Sequence, residues 1–100
     1  MELQGVIKEI LPIEERGEKK FKTRNIILDR SRQDQGRENF TEIQLLGDNT
    51  NTPENLQLQP GDAIKCNFEI NGKYYNDKNG VRRLGQSISA WGITVIQKVN

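Results

Sequence analysis

The chain has no histidine and a single cysteine, Cys66. Without histidine it lacks the usual general base, the usual neutral-pH switch and the commonest metal ligand. One cysteine forbids an internal disulfide and suits a reducing compartment, so a cytoplasmic location is the simple expectation. No apolar run reaches the ~18 residues of a membrane-spanning helix, and the Met1-Glu2-Leu3-Gln4 start has no signal-peptide pattern. No Gly-rich phosphate loop followed by Lys-Ser/Thr is present, and Gly85-Gln86-Ser87-Ile88-Ser89 does not supply one. Cysteine and histidine clusters for zinc are missing. The carboxylates are scattered, with no pair at a spacing that suits two-metal or acid–base work. These absences argue against an enzyme and against a metal or other cofactor.

Apolar residues make up only 33% of the 100 residues and charged residues 29%. That balance can signal disorder, but here the apolar residues gather in short runs, which reads as one small folded domain with long polar loops. The formal net charge is only +1, which speaks against indiscriminate duplex binding and leaves room for a local basic groove.

Five strands are expected. Leu3 to Leu11 is the first, with Gly5 marking a bulge or bend and Pro12 ending it. Glu14 to Lys19 reads as a charged hairpin loop turning at Gly17. Lys20 to Arg30 is the second strand, with Ile26 and Leu28 on one face and Phe21, Thr23, Asn25 and Ile27 on the other. Ser31 to Arg37 is a polar connection, and Arg30, Arg32 and Arg37 along it rank low as ligand contacts. Glu38 to Leu46 is the third strand. Thr41, Ile43 and Leu45 give it an apolar face, opposed by Phe40, Glu42, Gln44 and Leu46. Thr52-Pro53-Glu54 signals a helical turn, with Thr52 as N-cap and Pro53 at the first helical position. Pro60-Gly61 is the centre of a tight turn. Ala63 to Ile70 is the fourth strand, whose Cys66 alternates with Ile64 and Phe68 as a buried small hydrophobe. A long polar loop follows from Asn71 to Gly85, and its Asn-Gly pairs leave room for a small hairpin. Ser87 to Val99 is the fifth strand. Ile88 and Ala90 differ in parity from Ile93 and Val95, which predicts a bulge near Trp91-Gly92.

Two basic-aromatic segments stand out against this frame. Lys19-Lys20-Phe21-Lys22-Thr23-Arg24 opens the second strand, inside a stretch from Glu14 to Arg24 of net charge +2. Lys73-Tyr74-Tyr75, Lys78 and Arg82-Arg83 occupy the loop before the fifth strand, where Asn71 to Gly85 carries net +3. Cations beside flat π-faces suit single-stranded nucleic acid, whose unpaired bases stack while the charges hold phosphates. Five strands with one helical turn between the third and fourth fit an all-β, five-stranded OB-fold barrel. In that barrel the second and third strands and the two loops flanking them form the binding face. Both segments fall there.

The sequence also resembles the small bacterial and phage OB-fold proteins, long described as a domain of unknown function, that are regarded as single-stranded-DNA-binding proteins. The resemblance rests on Met1 to Ile7, Phe21-Lys22 leading into Ile26-Ile27-Leu28, Leu45-Leu46-Gly47-Asp48, Leu58-Gln59-Pro60-Gly61-Asp62 and Ala90-Trp91. It departs at an Arg- and Gln-rich connection after the second strand and at an inserted Asp77-Lys78-Asn79-Gly80 tip. It implies the OB fold and single-stranded DNA as ligand, and it does not identify the contacts.

From the residues themselves, Phe21, Phe40 and one of Tyr74 and Tyr75 are the stacking candidates, set against ordinary packing roles. The two tyrosines are adjacent and face opposite ways if extended. Lys20, Lys22, Arg24, Lys73, Lys78, Arg82 and Arg83 are the phosphate candidates, against a solvated charged face. Gln44 shares the polar face of the third strand with Phe40. Glu42, on the same face, is awkward for phosphate and suits pairing with Lys22 or Arg24, or accepting from a base amine. Trp91 is a candidate contact or, as the only tryptophan, core or subunit-interface material. The expected function is sequence-tolerant single-stranded DNA binding in replication, recombination or repair, with homo-oligomerisation and replication or recombination proteins as further partners. A protein-interaction adaptor on the same barrel, or a single-stranded RNA binder, is the alternative.

Overall fold

A computed structural model describes residues 1–31 and 36–99. Arg32 lies outside the described residues. Among the described residues six strands form: β1 (Glu2–Ile10), β2 (Glu14–Arg16), β3 (Phe21–Asp29), β4 (Phe40–Leu46), β5 (Ala63–Asn76) and β6 (Arg82–Gln97). A 3-10 turn (Gly47–Asn51) and a one-turn helix α1 (Thr52–Asn55) join β4 to β5.

The strands close on themselves. β1 pairs antiparallel with β5 through residues 2–6 and with β3 through residues 6–10. β3 pairs with β4 and β5 with β6. A parallel bridge between Gln44 and Ser89 joins β4 to β6 and completes the ring. β2 adds a short flap on β3. This is the OB barrel expected from the sequence, with the second to fifth expected strands realised as β3 to β6.

Alternation decides what fills the barrel. Leu3, Ile7, Ile26, Leu28, Ile43, Leu45, Leu58, Ile64, Cys66 and Ala90 are buried together, and Ile10, Phe68, Ile88, Ile93 and Val95 pack against them. Cys66 is buried as expected, and burial pushes its thiol pKa up. The bulge near Trp91-Gly92 is present. Lys65 faces Thr94 and Asn67 faces Trp91, so two β6 residues oppose the single residue Cys66. Gly92 takes φ +61 there. That extra residue restores the inward parity of Ile93 and Val95.

Several boundaries differ from expectation. The charged hairpin loop is shorter, because Glu14–Arg16 pairs with Phe21–Thr23 as β2. The turn runs Gly17 to Lys20, with the Lys20 amide donating to the Gly17 carbonyl at 3.1 Å. β4 begins at Phe40 rather than Glu38. The β1 bulge lies between Ile7 and Glu9, not at Gly5. Gly5 marks a close approach instead, since a Cβ there would meet Leu28 Cβ at 3.0 Å. Asn51, not Thr52, is the N-cap of α1, and no side chain caps it.

The largest difference is the Asn71 to Gly85 stretch. It is strand, not loop: β5 and β6 pair without a break from Phe68↔Ala90 to Asn76↔Arg82. The hairpin projects beyond the barrel as a two-stranded arm and helps set the 47 × 36 × 22 Å dimensions and the 15.0 Å radius of gyration. A compact chain of this length has about 13 Å.

Pro60-Gly61 does form the expected turn, closed by the Asp62 amide donating to the Gln59 carbonyl at 3.1 Å. Gly61 sits at φ +100, and a Cβ added there would lie 2.7 Å from Val99 Cγ2. Gly61→Ala should therefore cost about 1–3 kcal/mol from backbone strain alone. Thermal denaturation checks this, and an unchanged melting temperature would contradict it.

Candidate functional site

The β3–β4 pairing puts Ile26 opposite Ile43 and Leu28 opposite Thr41. These point into the barrel, so their neighbours point out. Phe21, Thr23, Asn25, Ile27 and Asp29 of β3 share the outer face with Phe40, Glu42, Gln44 and Leu46 of β4. Phe21 and Phe40 are 52% and 46% exposed and stand at opposite ends of that face. Eight residues along a strand separate Phe21 from Asp29, the partner of Phe40, or about 26 Å at ~3.3 Å per residue.

The arm has two faces by the same rule. Phe68, Ile70, Gly72, Tyr74 and Asn76 share one with Ala90, Ile88, Gln86, Leu84 and Arg82, and this face continues from the barrel interior. Ile70, Tyr74 and Leu84 on it are each more than half exposed. The Arg82 guanidinium lies 4.0 Å from the Tyr74 ring centroid. Between this face and the outer face of β3–β4 runs a groove of about 360 Å³ lined by Asn25, Glu42, Gln44, Ile70, Gln86 and Ile88, among others. Among the described residues its sole charged lining residue is Glu42, whose Oε1 accepts a hydrogen bond from Asn25 Nδ2 at 2.8 Å.

A second hollow of about 440 Å³ adjoins Phe40, lined by Lys8, Asp29, Ser31, Arg37 and Glu38 as well. Lys8 Nζ stands 5.0 Å from the Phe40 ring centroid. The Asp29 carboxyl is held below its usual range by its hydrogen bond from Ser31.

The arm's tip is built around Asp77. Its Oδ1 accepts from the Asn79 and Val81 amides, each at 2.9 Å, and its Oδ2 from Arg83 Nε at 2.7 Å. These bonds hold the Asp77 pKa down, that of Arg83 most.

Of the expected contacts, Gln44 lines this groove, Phe21 and Phe40 stand at the two ends of the β3–β4 outer face with Phe40 beside the second hollow, and Tyr74 and Arg82 lie farther out on the groove-side face of the arm. The other candidates lie elsewhere. Arg24 is a structural clamp. Its side chain is 12% exposed, its Nε donates to the Leu11 carbonyl at 2.8 Å, and its Nη1 donates to both Glu54 carboxylate oxygens at 2.7 Å. That bond is the main cause of the lowered Glu54 pKa. Lys20 is in the β2–β3 turn, and Lys22 has the parity opposite to Phe21. Lys73, Tyr75 and Arg83 are on the back of the arm. A Cβ on Gly85 would lie 3.3 Å from the Tyr75 ring, so Tyr75 covers its cross-strand neighbour there. Lys78 is at the tip. Trp91 pairs with Asn67 on the outer face of the β1–β5–β6 sheet, away from the groove.

Lys8, Asn25, Ile70, Leu84 and Gln86 were not singled out from sequence. The alternation Ile70, Tyr74 and Leu84, Ile88 around an Asn-Gly turn was the signal for the last three, which are on the arm. Lys8 had none, because it meets Phe40 only through the β1 bulge. Glu42 is bonded to Asn25 rather than to Lys22 or Arg24.

The backbone is similar to crystal structures of the mitochondrial single-stranded DNA binding protein Rim1 from S. cerevisiae. One superposes with a TM-score of 0.70 at 12% identity, covering 97% of this chain and 93% of that one. The selenomethionine-labelled form gives 0.66 at the same identity and coverage. At that identity the likeness establishes the fold. No curated protein matches the sequence. Residues 2–94 match the family described as Domain of unknown function (DUF3127), and the chain belongs to that family.

Proposed function

We propose that this chain binds single-stranded DNA in the groove between the outer face of β3–β4 and the inner face of the arm. The observation that carries the reading is the pairing of exposed rings with cations on the two surfaces that face this groove and extend beyond it. Phe40 has Lys8 beside it and Tyr74 has Arg82, while Phe21 stands exposed at the other end of the β3–β4 face. Bases stack on the rings, and the cations take the phosphates at the rim. Among the described residues the groove lining carries no lysine or arginine, which suits bases below and backbone above. The resemblance in fold to a protein described as binding single-stranded DNA supports the same ligand. Trp91, on the opposite sheet face, suits contact with a second copy of the chain better than contact with a base.

The test is amide chemical-shift mapping with a short oligo-dT. Shifts should concentrate at Phe21, Gln44, Phe40, Ile70, Tyr74 and Leu84 and spare Tyr75 and Trp91. Shifts confined to the back of the arm, or none at all, would refute the assignment. An RNA competitor of the same length measures the preference for DNA, and tighter RNA binding would transfer the function to RNA.

A further inference from the structure

The floor of the groove has a feature that a purely sequence-blind binder does not need. Glu42 places a carboxylate in the middle of a surface that is expected to take a polyanion. A carboxylate there repels phosphate, and among the described residues its bonded neighbour is the neutral side chain of Asn25. Among the described residues, no cation lines the groove with it. Its Oε1 is tied to Asn25 Nδ2 at 2.8 Å, which fixes the plane of the group. Among the described residues, Oε2 accepts no hydrogen bond. Amide side chains that can donate as well as accept, Gln44 and Gln86, line the same groove. Ile70 and Ile88 supply an apolar wall beside them.

We propose that Glu42, oriented by Asn25, is a base-selecting residue, and that the nucleotide seated over it is preferentially guanine. The proposal rests on the single-strand reading of the groove. The reason is the pattern of donors on each base edge. The Watson–Crick edge of an unpaired guanine presents two adjacent N–H donors, N1 and N2, which match a carboxylate, and an O6 acceptor that an amide donor such as Gln44 or Gln86 satisfies. Cytosine and adenine offer a carboxylate only an exocyclic amine. Thymine offers one N–H flanked by two carbonyl oxygens, which set lone pairs against the carboxylate. Unpaired bases are read along these edges when splayed out of a strand, and carboxylates are established acceptors from base amines. The binding remains tolerant of sequence elsewhere, because the stacking rings accept any base.

The experiment compares labelled oligo-dT with the same strand carrying one central guanine, against wild type and Glu42→Gln, by fluorescence polarisation. Glu42 is exposed, so the variant should fold, and a melting curve verifies it. The expected result is about tenfold tighter binding of the guanine strand by wild type, within the range seen for a good bidentate base contact. That ratio should fall to within about twofold of one in Glu42→Gln. Equal affinity of wild type for both strands, or an undiminished ratio in the variant, overturns the selectivity and leaves the groove intact. No binding of either strand overturns the groove reading and this proposal with it.

Discussion

Replacing Phe21, Phe40 and Tyr74 together with alanine should weaken single-strand binding at least about 100-fold. Each stacked base contributes about 1–3 kcal/mol by alanine substitution. Three rings at the low end amount to about 3 kcal/mol, which is more than two powers of ten in Kd. The rings are about half exposed and lie outside the buried cluster, so the barrel should survive their loss. Tyr75→Ala is the matched control. It removes an equally large ring one residue away, from the back of the arm, and should leave the affinity within about twofold. Titration of a labelled oligo-dT against all variants measures both effects. A triple variant that loses less than about threefold would mean that the rings do not stack on bases.

The largest effect on stability is expected at Asp62. Its side chain is fully buried, and its two oxygens accept from Lys98 Nζ at 2.7 Å, the Gln59 amide at 3.0 Å and the Val99 amide at 2.9 Å. Lys98 also donates to the Gln57 carbonyl. One carboxylate thus ties the turn before β5 to the chain after β6. Asp62→Asn retains the shape but turns an NH₂ group toward donors. It leaves at least one buried amide or the ammonium without a partner, the expensive half of losing a hydrogen bond. The melting temperature should fall by on the order of 10 °C for a domain of this size.

The same group gives a pH dependence of defined sign. The Lys98 hydrogen bond holds the Asp62 pKa below its ordinary value, outweighing the upward push of burial. Its contribution is therefore complete above the unfolded value of about 3.9 and is lost as pH falls through the lower folded value. Asp29, Glu54 and Asp77 are shifted in the same direction and add to acid lability. Denaturant unfolding across the acid range should show wild-type stability dropping below about pH 4 and a shallower drop in Asp62→Asn. Parallel curves would show that Asp62 does not contribute.

Alternation and turn chemistry made the barrel legible. Ile26 with Leu28, Ile43 with Leu45, and Ile64 with Cys66 each mark an inward face two residues apart, and Pro60-Gly61 and Trp91-Gly92 punctuate where the structure bends. The arm was misread because Asn71-Gly72 looks like a turn. Gly72 instead sits mid-strand, where the Leu84 side chain covers it: a Cβ there would lie 3.5 Å from Leu84 Cδ1. The turn is five residues on, at Asp77 to Val81, fixed by Asp77. That error kept the Asn71 to Gly85 candidates in one loop, when the strand pairing divides them between two faces. Arg24 was unreadable for a different reason. Its partners Leu11, Thr50 and Glu54 are 13, 26 and 30 residues away, and only the closed barrel brings them together. The Lys98–Asp62 bond spans 36 residues and escaped notice on the same ground.

The central claim is a groove that takes a single strand and holds its phosphates at a basic rim. Fluorescence-polarisation titration of labelled oligo-dT beside a matched duplex, at ~50 and ~200 mM salt, tests it most directly. The two cations placed beside exposed rings, Lys8 and Arg82, at ~0.7 per contact predict a log–log salt slope of about −1.4 or steeper, hence a loss of about sevenfold or more between the two conditions. Single-strand preference with that slope is the expected result. Equal binding of duplex would contradict the single-strand account, and no binding at the lower salt would contradict it and leave the barrel as a protein-interaction adaptor.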